Sequence, residues 1–310
     1  MPSTHEKSEL IIESLTKTID KHMNDLKKIH TKKLKSTKDA EDFKIFYDNF
    51  LNEAAEKTHE AMTAWENTSL TELQDLTPSQ YFDSLESLDD ILELLTLIEE
   101  NENLMIPANL GERIKKLHDS ITDELITKLQ SIQLDESKNF TPSQKAIIRI
   151  VGIAGSTKYL PVLEGFICQL DEEKSDEDTY KLLMDAVKLM GEQALESLMQ
   201  LAVNNTQNKK LYISLLITIA DIASKSRPEQ VYKFLKDRFR KSEEKLPETA
   251  ALSVFGDGRA IPAMRGYVEQ NLESLSYNSY MYIRHSIIEL GGDTSDLDGY
   301  FMDYEGLDEE

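Results

Sequence analysis

Two stretches separated by 101 residues constrain this chain most: GSTKYLPVLEGF, from Gly155 to Phe166, and GDGRAIPAMRGY, from Gly256 to Tyr267. Aligned without gaps, Gly155 meets Gly256, Leu160 meets Ile261, Pro161 meets Pro262, Leu163 meets Met264, Gly165 meets Gly266 and Phe166 meets Tyr267. Weaker copies turn at Gly191, Ser224 and Gly291, so the turn positions 155, 191, 224, 256 and 291 are 36, 33, 32 and 35 residues apart. That period fits a unit of two helices and a turn. An apolar run ends the first helix, glycine supplies a terminus able to take positive φ, and a small-plus-aliphatic pair such as Ala260 and Ile261 opens the second. Each hairpin leaves apolar surface that a neighbouring hairpin must cover.

The string G-D-G-R-A-I-P-A-M, from Gly256 to Met264, resembles the turn and second-helix start of HEAT-like repeats of the phycobilisome-lyase type, and GSTKYLPVL is a looser version. The resemblance covers roughly the final 150 residues. It implies an all-α, HEAT-like α-solenoid of stacked helical hairpins over residues 141–292. Related arrays serve as binding scaffolds, chromophore lyases, metal-dependent hydroxylases and DNA glycosylases, so the resemblance points to architecture before function.

The first 140 residues lack this signature and read as an N-terminal helical region, either a bundle or degenerate repeats. Leu15, Ile19, Met23 and Leu26 form one helical stripe, and Phe43, Phe46, Tyr47, Phe50, Leu51, Ala54, Ala55, Met62 and Trp65 form a second. The polar KSTKDAED connection lets the two pair as an antiparallel hairpin. The tetrapeptide TPSQ occurs at Thr77–Gln80 and Thr141–Gln144, each with a threonine cap, a proline at the first helical position and a glutamine able to reach back. After Pro107, Leu110, Ile114, Leu117, Ile121, Leu125 and Leu129 sustain a long helix that ends before LDESKNF. Residues 293–310 form an acidic C-terminal tail, whose Tyr300, Phe301 and Tyr304 are suited to cover the edge of the last repeat.

Charge narrows the partners. Against 35 lysines and arginines stand 57 aspartates and glutamates, a formal charge of -22. Such a field repels nucleic-acid phosphates and anionic lipid while favouring basic proteins or peptides. One basic cluster interrupts it: Lys225, Arg227, Lys233, Lys236, Arg238, Arg240 and Lys241. Its neighbours Glu229, Asp237, Glu243 and Glu244 favour a salt-bridged, solvated face over a phosphate-binding one. No run approaches the length of a membrane helix. With a single cysteine, Cys168, set in an apolar run and read as a small core hydrophobe, the chain is expected in a reducing, cytoplasmic compartment.

Tests for chemistry give little. Neither glycine turn fits a phosphate-binding loop, which needs GxxxxGK[ST] after a strand, so the turn reads as a structural joint with Arg259 on the surface or between repeats. His5-Glu6 and His59-Glu60 lie outside the repeats, and Glu56 with His59 makes one Glu-x-x-His where a di-iron bundle needs two. In TSDLDGYFMDYE, Asp296, Asp298, Gly299 and Glu305 match positions three, five, six and twelve of a calcium loop, but Thr294 replaces the first aspartate. No cofactor, metal site or catalytic constellation is assigned. The expectation is a non-enzymatic scaffold that binds a protein or peptide through a concave face made mainly by the second helices. Tyr159, Glu164, Glu196, Tyr232, Arg265 and Glu269 are the expected exposed groups there. A lyase-like or metal-dependent modifying enzyme on the same frame, and a nucleic-acid-binding protein, stand as alternatives.

Overall fold

The computed structural model of the chain describes residues 4–34, 40–101 and 104–299, with side chains throughout these except at 29–34, 40–49, 51 and 52. The expected packing of Phe43, Phe46, Tyr47 and Leu51, and of the tail aromatics, lies outside the described residues. Among the described residues the regular structure is helical, with a single isolated bridge between Leu70 and Leu76. The chain divides into two compact units, Met1–Gln133 with Phe140–Ala154, and Leu134–Asn139 with Gly155–Glu310.

In the first unit α1 (Thr4–Leu34) packs along α2 (Ala40–Glu66) and α4 (Leu88–Glu99). Short α3 (Pro78–Asp83) rests on α5 (Ala108–Ser131), and α6 (Pro142–Ala154) covers α4 and α5. The expected stripe on α1 is buried at Leu15, Ile19 and Leu26, whereas Met23 is exposed. Polar ties fix the helices at their ends: Trp65 Nε1 donates to Ser14 Oγ at 3.0 Å, and the Ser8 and Tyr81 hydroxyls meet at 2.9 Å. Buried Glu66, at the end of α2, accepts from the backbone N–H of Asn109 at 2.8 Å and so supplies α5 with the cap that Pro107 cannot. Burial raises its carboxyl pKa. Both TPSQ motifs close as reciprocal caps: Gln80 N to Thr77 Oγ1 at 3.2 Å with Thr77 N to Gln80 Oε1 at 2.9 Å, and Gln144 N to Thr141 Oγ1 at 3.4 Å with Thr141 N to Gln144 Oε1 at 2.9 Å.

The second unit opens with α7 (Leu160–Ile167) and continues through the pairs α8 (Glu177–Leu189) and α9 (Leu195–Asn204), α10 (Lys209–Ala223) and α11 (Glu229–Lys241), α12 (Leu246–Phe255) and α13 (Ile261–Gln270), and α14 (Tyr277–Glu289) and α15 (Ser295–Asp298). The first helices contact one another in chain order, α8 on α10, α10 on α12 and α12 on α14. Leu183, Leu215, Leu216, Leu252 and Ile283 are fully buried on them. Gly155, Gly191, Gly256 and Gly291, at four of the five expected turn positions, have φ of 65, 70, 74 and 88°. Ser224 departs from this with φ -60°, and the left-handed residue comes later, at Arg227 with φ 48°. Pro228 follows Arg227 and clashes with a right-handed helical residue before it, which moves the break to that point.

The GDGRA turn joins the two helices of one hairpin and is tied to the hairpin before it. Asp257 accepts from the backbone N–H of Arg259 at 2.9 Å, and the Arg259 guanidinium holds both Asp257 and Glu229 of α11. That guanidinium lies 4.1 Å from the centroid of the Tyr232 ring, and the Tyr232 hydroxyl donates to the Arg259 carbonyl at 2.8 Å. The Arg259 guanidinium also holds the Asp257 carboxyl below its usual range.

Candidate functional site

The first helices of the second unit share a feature at their N-terminal ends. Asp176, Asn208 and Ser276 cap α8, α10 and α14, accepting from Thr179 N at 2.7 Å, Leu211 N at 3.0 Å and Ser279 N at 3.2 Å. Four residues after each cap stands a tyrosine, Tyr180, Tyr212 and Tyr280, at 3, 8 and 2 % exposure. One helical turn beyond the cap, that position faces inward. The phenol needs a partner there, and each finds it in a later element.

Tyr180 accepts from Nδ2 of Asn208, the cap of α10, at 3.4 Å. Tyr212 donates to Glu248 Oε1 on α12 at 2.7 Å and accepts from Arg238 Nε on α11 at 3.0 Å, with the guanidinium carbon 5.4 Å from its ring centroid. Tyr280 donates to Asp298 of α15, which Arg284 also grips with two hydrogen bonds at 2.7 and 3.0 Å. Burial raises the pKa of all three phenols, that of Tyr212 to about 12.

Helix α12 breaks the series. Lys245 occupies its cap position and makes no capping hydrogen bond. Thr249 stands where the tyrosine would be; it is fully buried and its hydroxyl has no partner. The preceding Glu248 is also fully buried, and its second carboxylate oxygen has none. The Lys245 ammonium turns back to the end of α11, donating to the carbonyls of Phe239 at 2.6 Å, Arg240 at 3.3 Å and Ser242, over the rings of Phe239 and Tyr267 at 5.4 and 5.6 Å. It thereby satisfies carbonyls left open by the end of that helix. Burial lowers its pKa.

A groove of about 420 Å³ opens between the N-terminal ends of α12 and α14. Leu246 and Leu275 give it apolar surface, the Tyr267 ring and fully buried Ile283 border it, and Glu243, Glu244, Ser274, Ser276 and Ser279 supply polar groups. Glu244 meets Lys209 Nζ at 2.9 Å.

Of the six residues expected to be exposed on a binding face, two are buried. Tyr159, in the short turn before α7, is fully buried, and Tyr232, in the first turn of α11, is nearly so. Glu164, half-buried, accepts from the Ser197 hydroxyl, while Glu196 is exposed. Arg265 and Glu269 do come together at 3.6 Å, but the guanidinium is occupied by Asp296 at 2.6 Å and by the Asp293 carbonyl. Cys168, expected in the core, is exposed at the end of α7.

The calcium-loop match does not survive in the described residues: Ser295–Asp298 is helical, and Asp296 and Asp298 are paired with Arg265 and Arg284. Glu305 lies outside the described residues. No group of three or more His, Cys, Asp or Glu side chains is placed to hold a metal ion among the described residues. In the basic cluster Lys233 meets Glu229 at 3.9 Å, Lys241 meets Asp237 at 2.8 Å, and Arg238 is engaged with Tyr212. No helix of the described residues is long and apolar enough to cross a membrane.

No family model, curated protein or solved structure matches the chain. The tyrosine series is legible in the sequence, since Tyr180, Tyr212 and Tyr280 stand 11, 12 and 11 residues before the turn positions 191, 224 and 291. The signal available in the sequence is a capping residue with tyrosine four positions on, at Asp176, Asn208 and Ser276.

Proposed function

We propose that residues 155–299 form a HEAT-like α-solenoid and that the chain is a non-enzymatic scaffold which binds a protein or peptide on its first helices. The observation that carries this reading is the distribution of exposed large apolar side chains. Leu189, Ile213, Val254, Met281, Tyr282 and Ile288 all lie on α8, α10, α12 or α14, while the second helices expose Val203. Exposed large apolar side chains recurring on one set of helices support placing the partner there. The ordered contacts of α8, α10, α12 and α14 and the recurrent left-handed glycines support the repeat frame. The acidic balance of the chain favours a basic partner.

Selection of a random-peptide display library on the full chain tests this. Enriched peptides should be basic and apolar, and their binding should slow amide exchange in α12 and α14 more than in α9 or α11. A library that enriches nothing, or peptides that protect the second helices instead, would remove the reading.

A further inference from the structure

We infer that residues 293–299 form a strap, fastened across α13 and α14 by one arginine from each, that opens on its own while the helices beneath it stay folded. Arg265 of α13 holds the Asp296 carboxylate at 2.6 Å and donates to the Asp293 carbonyl. Arg284 of α14 grips Asp298 at 2.7 and 3.0 Å, and the Tyr280 hydroxyl donates to the same carboxylate. The two guanidiniums hold the Asp296 and Asp298 carboxyls below the usual carboxylate range.

The strap is separable because charge holds it more than burial does. Its one apolar side chain is Leu297, 3 % exposed, whereas α14 buries Ile283 and Ile287 completely and Tyr280 nearly so. Apolar burial, which scales with the area removed from water, is therefore large in α14 and small in the strap. The amides of the strap bond within it: Ser295 N to Asp293 Oδ1 at 3.0 Å, Leu297 N to the Thr294 carbonyl at 2.8 Å and Asp298 N to the same carbonyl at 3.1 Å. Lifting it breaks the arginine and tyrosine contacts and uncovers Leu297, but leaves the hydrogen-bond ladder of α14 intact. The side chains of Arg265 and Arg284 are 23 and 31 % exposed, so salt reaches both fastenings. Such a local opening costs less than unfolding the unit.

Opening changes the surface of α14. With the strap closed, Asp298 neutralises Arg284; with it open, that charge stands bare one helical turn from the exposed Met281 and Ile288. On the scaffold reading these two side chains face the partner, so the strap sets the charge met there. The opening itself does not depend on that reading.

The test is amide exchange of the full chain without ligand, followed by NMR and expressed as protection relative to an unstructured chain. At about 10 mM salt, where the Debye length is about 30 Å, Leu297 and Asp298 should be protected, but at least about tenfold less than Val268, Ile283 and Ile287. Raising the salt to about 1 M, where that length is about 3 Å, should lower protection of the strap several-fold and leave the three core amides unchanged. Arg284→Gln should lower strap protection about tenfold at low salt, the scale of a hydrogen-bonded charge, and flatten its salt dependence. Arg265→Gln, acting at the other fastening, should do the same and keeps the test open if the first variant does not fold.

Equal protection at Leu297 and Ile283 would overturn the inference, because the strap would then open only with the helices. So would strap protection that ignores salt, or none above that of an unstructured chain. Failure of the strap leaves the scaffold reading standing, since exchange is measured with no peptide present. A peptide library that enriches nothing leaves the strap standing in turn.

Discussion

The α10–α12 seam and the α12–α14 seam use equivalent helices of the second unit and are closed by different chemistry. In the first, the Tyr212 phenol bridges the buried Glu248 carboxylate and the Arg238 guanidinium. In the second, Thr249 presents a hydroxyl without a partner, and contact across the surface is made farther along, where Ser253 Oγ donates to Glu289 at 2.7 Å. Two seams with the same backbone plan are therefore held differently: a buried polar network ties one, while the other relies on apolar packing and a surface hydrogen bond. A repeat frame need not be uniform to hold together, since each interface is set by its immediate neighbours.

The sharpest way to break this contrast is Tyr212→Phe. The change leaves Glu248 with neither oxygen hydrogen-bonded inside the protein and takes the acceptor from Arg238 Nε. Hydrogen bonds to charged groups are worth about 1.5–3 kcal/mol, so urea unfolding should show a loss of about 2–3 kcal/mol. Tyr180→Phe should cost less, about 0.5–1 kcal/mol, because its partner Asn208 is neutral and 3.4 Å away. Replacing Glu248 by leucine in the Tyr212→Phe background should recover much of the loss, since no unpaired carboxylate is then left in the core and the half-buried Arg238 guanidinium can turn to water. Equal effects of the two tyrosine variants would dissolve the distinction between the seams.

The same phenols make the comparison sensitive to alkali. Burial raises the pKa of Tyr212 from 10.0 to about 12, so between these values the unfolded chain has lost a proton that the folded chain retains. Stability then falls with rising pH, because the folded state binds more protons. The contribution is complete below pH 10 and lost by about pH 12. Phenolate absorbance should detect a tyrosine class that ionises late or only on unfolding, reduced in Tyr212→Phe. In acid the sign follows from Glu66, whose raised carboxyl pKa favours the folded state as pH falls toward the unfolded value of 4.5. Glu66→Gln should remove that contribution while keeping an acceptor for Asn109 N.

What the sequence discloses and what it withholds follow from the range of the interactions. The caps of TPSQ and the glycine turns are local: Thr77 and Gln80 are three residues apart, and left-handed backbone at Gly155, Gly191, Gly256 and Gly291 depends on the glycine itself. These are legible from residue type and spacing. The direction of Tyr159 and Tyr232 is not, because which side of a turn or helix meets the core is set by the neighbouring helices, and both rings lie inward. Arg265 likewise reads as an exposed cation until Asp293 and Asp296, about thirty residues away, fold onto it. Thr249 departs from a pattern and becomes informative only beside Tyr180, Tyr212 and Tyr280 in their capped helices.

The smallest change that separates the two seams is Thr249→Val. Threonine and valine share the branched β-carbon, so the substitution chiefly exchanges a hydroxyl for a methyl. At a buried site where the hydroxyl is hydrogen-bonded that exchange is destabilising, as it leaves the partner unsatisfied. Here the hydroxyl has no partner and the residue is fully buried, so removing it relieves a desolvation cost. Valine should stabilise the chain by about 1 kcal/mol in urea unfolding, opposite in sign to Tyr212→Phe. A loss of stability instead would mean that Thr249 is held by a polar contact, and that the α12–α14 seam is closed by a network of its own.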